Sequence, residues 1–373
     1  MSLDELVEIS RFYGTNPDYV VAGGGNTSFK DTDFLYVKAS GTKLAAATAP
    51  DFVKMSRAAL ARVWQKSYPM DSTRREAAVL ADMMAARAPG EEKKRPSVEC
   101  LLHDILPFAY IVHTHPSLVN GLTCSQNGEA VSKELFPGSI WIPSVNPGYI
   151  LSKTVKDAMD TYRAEKGKPP ELIFLQNHGV FVGADTTDKI KALYQVIDGR
   201  IAAKIKRQPD LGGKQSVYGN SDEVGRELQA LAGKAGGFKP EWFFSFERNN
   251  ESAKYIEGAA AFKCVSSAFT PDHIVYSGSD PLFIESLPAL EETFKAHVKR
   301  TGRIPKIAAV QGLGVFGLGN SKKTAETALE LFDNTIKVSV YTESFGGPLF
   351  MSKEQIDFIN NWEVESYRAK VSS

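Results

Sequence analysis

Apolar residues recur at helical spacing near 3–13, 51–66, 74–88, 98–108, 151–165 and 186–206, which predicts an amphipathic helix over each of these segments. Between them stand short apolar runs that read as strands: FLYV at 34–37, AYIVH at 109–113, IWI at 140–142, ELIFLQ at 171–176 and VFVG at 180–183. Helices and strands interleave, yet VFVG follows ELIFLQ after only a few residues, as in a hairpin. The pattern therefore predicts an α/β sandwich with a mixed, largely antiparallel sheet. The polar stretch KRQPDLGGKQSVYGNSD, rich in Gly, Pro and Ser, interrupts the pattern and reads as a linker at 206–222 between a domain at 1–205 and a second at 223–373. The second part reads as a helix, an ambiguous aromatic stretch around WFFSF, a strand at HIVY, a helix at 284–300, two strands flanking QGLG, and helices at 321–339 and 353–369.

An internal repeat links the two parts. With an offset of 135 residues, Gly167, Pro170, Gln176, Gly179, Val180 and Phe181 match Gly302, Pro305, Gln311, Gly314, Val315 and Phe316 without a gap. Each copy reads as strand, tight turn, strand, helix. They differ at one chemically important place, where His178 of the first copy is Leu313 in the second.

Composition narrows the class. The chain has 373 residues, 43% hydrophobic and 24% charged, with 44 basic and 44 acidic side chains. This excludes a disordered or collagen-like chain and gives no bulk electrostatic support for a nucleic-acid or anionic-membrane partner. Cys100, Cys124 and Cys264 are too few and too far apart for a disulfide framework or a C-x-x-C metal knuckle, so a reducing, cytoplasmic compartment is expected. The acidic, amphipathic start MSLDELVEISRFYG does not resemble a signal peptide, and no run of 18 or more apolar residues suggests a membrane span.

The chemistry concentrates in the first part. His113 and His115 end an apolar strand, and side chains at i and i+2 of a strand share a face, so both imidazoles could meet one metal ion. His178 holds the corresponding place at the end of another strand. Paired strand histidines also occur as plain polar residues at sheet edges, but a third at a second strand end favours a catalytic metal site with an open coordination position. Glu99 opens a predicted helix, where it reads equally as a dipole-compensating cap or as a base beside the metal. His103, four residues later, reads as a packed helix histidine or a partner of Glu99. The segment VVAGGGNTSFKDTDFLYVKASGTKL reads as a Gly-rich loop with small donors at Asn26, Thr27, Ser28 and Ser40 and lysines at 30, 38 and 43. It suits a phosphate or carboxylate, or is a plain turn with solvated lysines. Gly312, Gly314 and Gly317 spell G-x-G-x-x-G, but the residues that follow do not open a helix, so no nicotinamide cofactor is expected.

GGGNTSFK, VKASG, PSVECLLHDILP, VHTHP, WIPSVNPGYILSK and LQNHGVF stand in an order and spacing that resemble the class II aldolase/adducin family over roughly residues 10–205. They look most like the aldolase part of fusion proteins that join a rhamnulose-1-phosphate aldolase to a short-chain dehydrogenase, with no dehydrogenase part expected in residues 1–373. The resemblance implies a three-layer α/β/α sandwich, Zn2+ or another divalent metal on His113, His115 and His178, and Glu99 as catalytic acid/base. It also implies substrate phosphate near Asn26, Thr27, Ser28, Ser40, Gly41 and Ser97. One departure is Val98, where small sugar-phosphate aldolases of the family commonly carry a second serine. The implied reaction is cleavage of a phosphorylated ketose to dihydroxyacetone phosphate and a short aldehyde by a homo-oligomer, commonly a tetramer. Epimerisation or decarboxylation of a related sugar phosphate, or a non-catalytic adducin-like module, are the alternatives. For residues 223–373 the resemblance leaves a smaller α/β domain, a degenerate half-repeat without metal ligands.

Overall fold

The computed structural model describes residues 2–237 and 241–362. Of these, 2–123, 127–204 and 361–362 form one compact unit, and 124–126, 205–237 and 241–360 form another.

The first unit is built on seven strands: β1 (Asn26–Lys30), β2 (Phe34–Lys38), β3 (Phe52–Ser56), β4 (Tyr110–Thr114), β5 (Ile140–Ile142), β6 (Leu172–Leu175) and β7 (Gly179–Ala184). Their spatial order is β3-β2-β1-β4-β7-β6-β5, and every pair is antiparallel except β5 with β6. On one face, helices Arg57–Val63, Ser72–Ala85, Cys100–Ile105 and Tyr149–Lys166 bury side chains such as Leu60, Val79 and Leu102 against Leu35, Ile111 and Phe181. On the other, helices Leu3–Gly14 and Thr187–Ala202 lie against β1, β4 and β7. The result is a three-layer α/β/α sandwich with a mixed, largely antiparallel sheet.

Several local expectations change. The Gly-rich segment is not a loop through GNTSF: residues 26–30 are β1, buried throughout and paired on both sides. Its polar side chains hide a strand because they are satisfied inside the protein instead of alternating toward water. The helix expected from 51 starts only at Arg57, since Phe52–Ser56 pairs with β2 and buries Phe52, Val53 and Met55. The helix expected over 98–108 is confined to Cys100–Ile105, and two helices, Ser117–Thr123 and Gly128–Leu135, join β4 to β5 without having been foreseen. Among the described residues no helix is long and apolar enough to cross a membrane.

The second unit has four strands, β8 (Phe243–Glu247), β9 (Leu282–Ile284), β10 (Ile307–Val310) and β11 (Gly314–Gly319), in the order β8-β11-β10-β9. WFFSF is thus largely strand, and the helix expected at 284–300 is Leu290–Thr301, preceded by β9. HIVY, despite its β-branched residues, forms the π-helical turn His273–Ser277, whose His273 Nε2 lies 2.9 Å from Asn334 Oδ1 on the long helix Lys322–Thr342. Packing against that helix overrides local β propensity. The last helix is described as Lys353–Asn361, and the part expected beyond residue 362 lies outside the described residues. The polar stretch from 206 is fastened to this unit: Arg207 is 2.8 Å from Glu251 and 2.7 Å from Glu343, and Gln215 pairs through its backbone with Arg248.

The four strands of the second sheet repeat β4-β7-β6-β5 in order and direction. β8 runs antiparallel to β11 as β4 does to β7, β10 and β11 form a hairpin as β6 and β7 do, and β9 is parallel to β10 as β5 is to β6. Each hairpin leads into a helix capped by a hydroxyl, Thr186 accepting from the Lys189 N–H and Ser321 from the Thr324 N–H. Within this frame the G-x-G-x-x-G glycines occupy a hairpin: Gly312 is in the turn, and Gly314 and Gly317 are inside β11. A Cβ at Gly317 would come within 2.2 Å of the Ala325 carbonyl oxygen, so this glycine serves close strand-to-helix packing.

Candidate metal centre and its carboxylate

Three chain segments meet at one end of the first sheet. β1 and β4 are paired so that Asn26 faces His113, and β4 and β7 so that His113 faces Phe181. His113 and His115 project from the end of β4 on the same side, and His178 stands in the turn from β6 to β7, where its N–H donates to the Leu175 carbonyl. Asn177 enters the left-handed region at φ 56°, a conformation asparagine tolerates better than most residues. Gly179 leaves room for the approach, because a Cβ there would lie 2.5 Å from the Thr114 oxygen and 2.7 Å from the His115 ring.

The nitrogens of His113, His115 and His178 that could ligate an ion all lie within 4.8 Å of one another. His113 Nε2 and His115 Nε2 are 2.9 Å apart. His113 is fully buried, its ring stacked 4.0 Å from that of Phe181, and its Nδ1–H donates to the Val180 carbonyl at 2.9 Å. That bond fixes the tautomer and turns the Nε2 lone pair toward the other two imidazoles, as metal-ligating histidines are commonly held.

Glu99 completes the cluster. It is the residue just before helix Cys100–Ile105, with its own N–H donating to Ser97 Oγ at 3.2 Å. Its carboxylate is buried, with Oε1 3.4 Å from His113 Nε2 and 3.5 Å from His178 Nε2, and this oxygen has no hydrogen-bond partner. An orphaned buried carboxylate oxygen facing converging imidazole nitrogens is costly unless a cation or a transferable proton comes to it. Neutral nitrogen donors in this number suit Zn2+ with a further position left for an oxygen ligand, so the residues fit a divalent metal. Glu99 Oε2 accepts from Asn26 Nδ2 at 2.5 Å. The other end of that amide meets His103 Nε2, and His103 Nδ1 is 2.7 Å from Ser28 Oγ. Burial holds the His103 pKa well below its ordinary value, with His113, Lys30 and Lys38 adding to the effect.

The other residues of interest separate into two groups. Ser97 donates its N–H to the Lys38 carbonyl, Ser40 donates its N–H to the Arg95 carbonyl, and Lys38 Nζ donates to the Thr42 carbonyl at 2.7 Å. These bonds tie the partly exposed Ser40–Gly41 turn to the segment that leads into Glu99. Thr27, by contrast, points to the opposite face of the sheet, 2.6 Å from Ser10 Oγ, and is not brought to the cluster. Ser28 is fully buried against His103. Lys30 is also inside, donating to the His103 carbonyl at 2.5 Å, and burial pushes its pKa down to about 7. The involvement of His103 had only a weak sequence signal, its place one helical turn after Glu99.

In the second unit the cognate places are filled differently. Strand pairing sets Phe246 opposite Phe316, as His113 is opposite Phe181, so Arg248 stands where β4 continues to His115 and Leu313 where the other hairpin has His178. Arg248 donates to the carbonyls of Gly312 and Leu313 at 3.0 and 3.1 Å, and its guanidinium lies 4.7 Å from the Tyr218 ring centre.

Residues 4–203 match the family model described as the class II aldolase and adducin N-terminal domain. A curated relative, the uncharacterized oxidoreductase YuxG of Bacillus subtilis (strain 168), is 23% identical over 98% of this chain, and the chain spans 58% of that protein's length. Among solved structures, the N-terminal class II aldolase domain of a conserved protein from Thermoplasma acidophilum is 27% identical, with a TM-score of 0.46, over 54% of this chain and 93% of that one. An L-fuculose 1-phosphate aldolase is 15% identical, with a TM-score of 0.37, over 54% of this chain and 83% of its own.

Proposed function

We propose, from the premise that this chain belongs to the class II aldolase and adducin family, that it is a metal-dependent aldehyde-lyase acting on a phosphorylated ketose of the L-rhamnulose 1-phosphate type. The observation that carries this reading is the unpartnered Glu99 Oε1 set 3.4–3.5 Å from two imidazoles of a convergent histidine triad. A structural metal site would use all of its positions on protein ligands, whereas three histidines beside a poised carboxylate leave room for a reacting oxygen.

His113, His115 and His178 would hold the ion, taken to be Zn2+. When bound, it supplies Lewis-acid polarisation of a substrate carbonyl. Glu99 would move a proton at the carbon next to that carbonyl. In cleavage, a base takes the C4 hydroxyl proton, the C4–O bond becomes the aldehyde carbonyl and the C3–C4 bond breaks. Its electron pair stays with C3 in conjugation with the C2 carbonyl, and Glu99 in its protonated form delivers the proton that makes C3 a hydroxymethyl carbon. The products are dihydroxyacetone phosphate and a short aldehyde. The Ser40–Gly41 turn and Ser97, backed by the buried Lys38, are the phosphate-holding groups in this reading. A cytoplasmic homo-oligomer is part of the same proposal, and the buried thiol of Cys100 accords with a reducing compartment.

The test is incubation of the zinc-loaded protein with L-rhamnulose 1-phosphate, L-fuculose 1-phosphate and L-ribulose 5-phosphate. Release of dihydroxyacetone phosphate with a short aldehyde is the expected result. An isomeric pentulose phosphate as sole product would replace the lyase by an epimerase.

A further inference from the structure

We propose that Ser28, His103 and Asn26 form a one-directional hydrogen-bond chain whose role is to position Glu99, by binding one carboxylate oxygen and leaving the other aimed at the histidine triad. The proposal rests on the preceding reading for the role of Glu99. It gives Asn26 and Ser28 a task different from the phosphate contact that their motif suggests.

The direction of the chain follows from donor and acceptor chemistry. Asn26 Nδ2 donates to Glu99 Oε2 at 2.5 Å, so the end of the amide that faces the carboxylate is its NH2 group. The other end is therefore the carbonyl oxygen, which only accepts, and the His103 Nε2 that meets it must carry a hydrogen. Full burial keeps the imidazole neutral, so Nδ1 is a lone pair and takes the hydroxyl proton of Ser28 at 2.7 Å. Each donor in the sequence Ser28, His103, Asn26 thus has one acceptor, and the series ends on Glu99 Oε2.

The backbone makes this arrangement rigid. Asn26, Ser28 and Lys30 are alternate residues of β1 and share a face. Glu99 and His103 are one helical turn apart, with the His103 N–H donating to the Glu99 carbonyl at 3.1 Å. Asn26 reaches the Glu99 side chain, Ser28 the His103 ring and Lys30 the His103 carbonyl, so three positions of one strand grip one short helix at the residue that precedes it and at its fourth residue. A buried polar series that is fully satisfied specifies a single geometry, and losing one member leaves the others to find new partners.

Two measurements test the chain. A neutron structure of the zinc-loaded protein should show deuterium on His103 Nε2 and the Ser28 deuteron directed at Nδ1; deuterium on Nδ1, alone or on both nitrogens, would overturn the proposal. The second follows proton exchange at the hydroxymethyl carbon of dihydroxyacetone phosphate in D2O, which isolates the step given to Glu99. With zinc content unchanged, His103→Leu should slow exchange about 100-fold, as expected for a group displaced by about an ångström. His103→Gln, which keeps a donor toward Asn26 and an acceptor toward Ser28, should restore it to within about threefold. Should His103→Leu fail to fold, Ser28→Ala is the milder variant, with an expected slowing of about tenfold. Wild-type exchange in folded His103→Leu or in Ser28→Ala would reject the positioning role. If the wild-type protein itself exchanged nothing, the lyase reading would fall, and the neutron structure alone would decide whether the chain exists.

Discussion

The sheet segment β4-β7-β6-β5 and its counterpart β8-β11-β10-β9 share strand order, strand direction and a following capped helix, yet among the described residues only the first gathers side chains that could hold a metal ion. The hairpin turns show how close the two remain. Asn177 in one and Gly312 in the other both have positive φ, 56° and 71°, and the next N–H in each donates back across the turn, His178 to Leu175 and Leu313 to Val310. The backbone that presents His178 is therefore kept while the imidazole is replaced by Leu313. In the second unit Leu313 and Phe246 pack into an apolar core with Leu228 and Phe316, and Arg248 uses its guanidinium to hold the turn itself. The difference teaches that the hairpin is a scaffold, and that the chemistry is a property of a few side chains set on it.

Breaking the first unit should have the largest effect. The double substitution His113→Ala, His115→Ala is expected to abolish aldehyde release, a loss of at least about a thousandfold in kcat/KM, because the ion and its polarising effect go together. Glu99→Gln comes next. The triad is intact in this variant, so bound zinc should stay near one per chain while dihydroxyacetone phosphate exchange falls by about 10²–10⁴, the usual range for removing a positioned acid/base.

Converting the second unit sharpens the comparison from the other side. The triple variant Phe246→His, Arg248→His, Leu313→His places imidazoles at the three cognate positions. Metal analysis should show bound zinc rising above the wild-type ratio, while the rate of aldehyde release changes by no more than about twofold, since no carboxylate has been added. Unchanged metal content in a folded triple variant would mean that the two frames differ more than their strand pairing shows.

The smallest expected effect is on stability. Lys30, buried in the first unit, and Lys306, half-buried in the second, have pKa values pushed down by desolvation to about 7 and about 8, and each donates to a backbone carbonyl. Unfolded, a lysine holds its proton up to about 10.5. Between the folded and unfolded values the folded chain binds fewer protons, so stability rises with pH across that window and is flat below it. Lys30→Met should remove a rise of up to about 3 kcal/mol between pH 7 and 10, and Lys306→Met a smaller one between pH 8 and 10, both read by urea denaturation.

Much of this was legible beforehand. The i, i+2 spacing of His113 and His115 on an apolar run, and His178 at the end of a second, were enough to anticipate that three imidazoles converge, because strand alternation leaves little freedom in where those side chains point. The hairpins came from short apolar runs between turn residues and the repeat from six matched residues, whereas the parallel pairing of β5 with β6 was not foreseen. What stayed hidden was polar and buried. Residues 26–30 looked like a loop because Asn26, Ser28 and Lys30 find their partners on the helix that carries Glu99, a tertiary fact without sequence periodicity. For the same reason Asn26 and His103 could not be linked from their positions 77 residues apart. The strand expected at HIVY failed for a related cause, since packing on helix Lys322–Thr342 decided its conformation.

The most direct measurement is zinc titration of the metal-stripped protein, followed by calorimetry and elemental analysis, with the His113→Ala, His115→Ala variant alongside. One tightly bound zinc per chain in the wild-type protein and none in the variant is the expected result. Absence of tight binding in the folded wild-type protein, or equal binding in the variant, would contradict the assignment of a metal centre to this end of the first sheet.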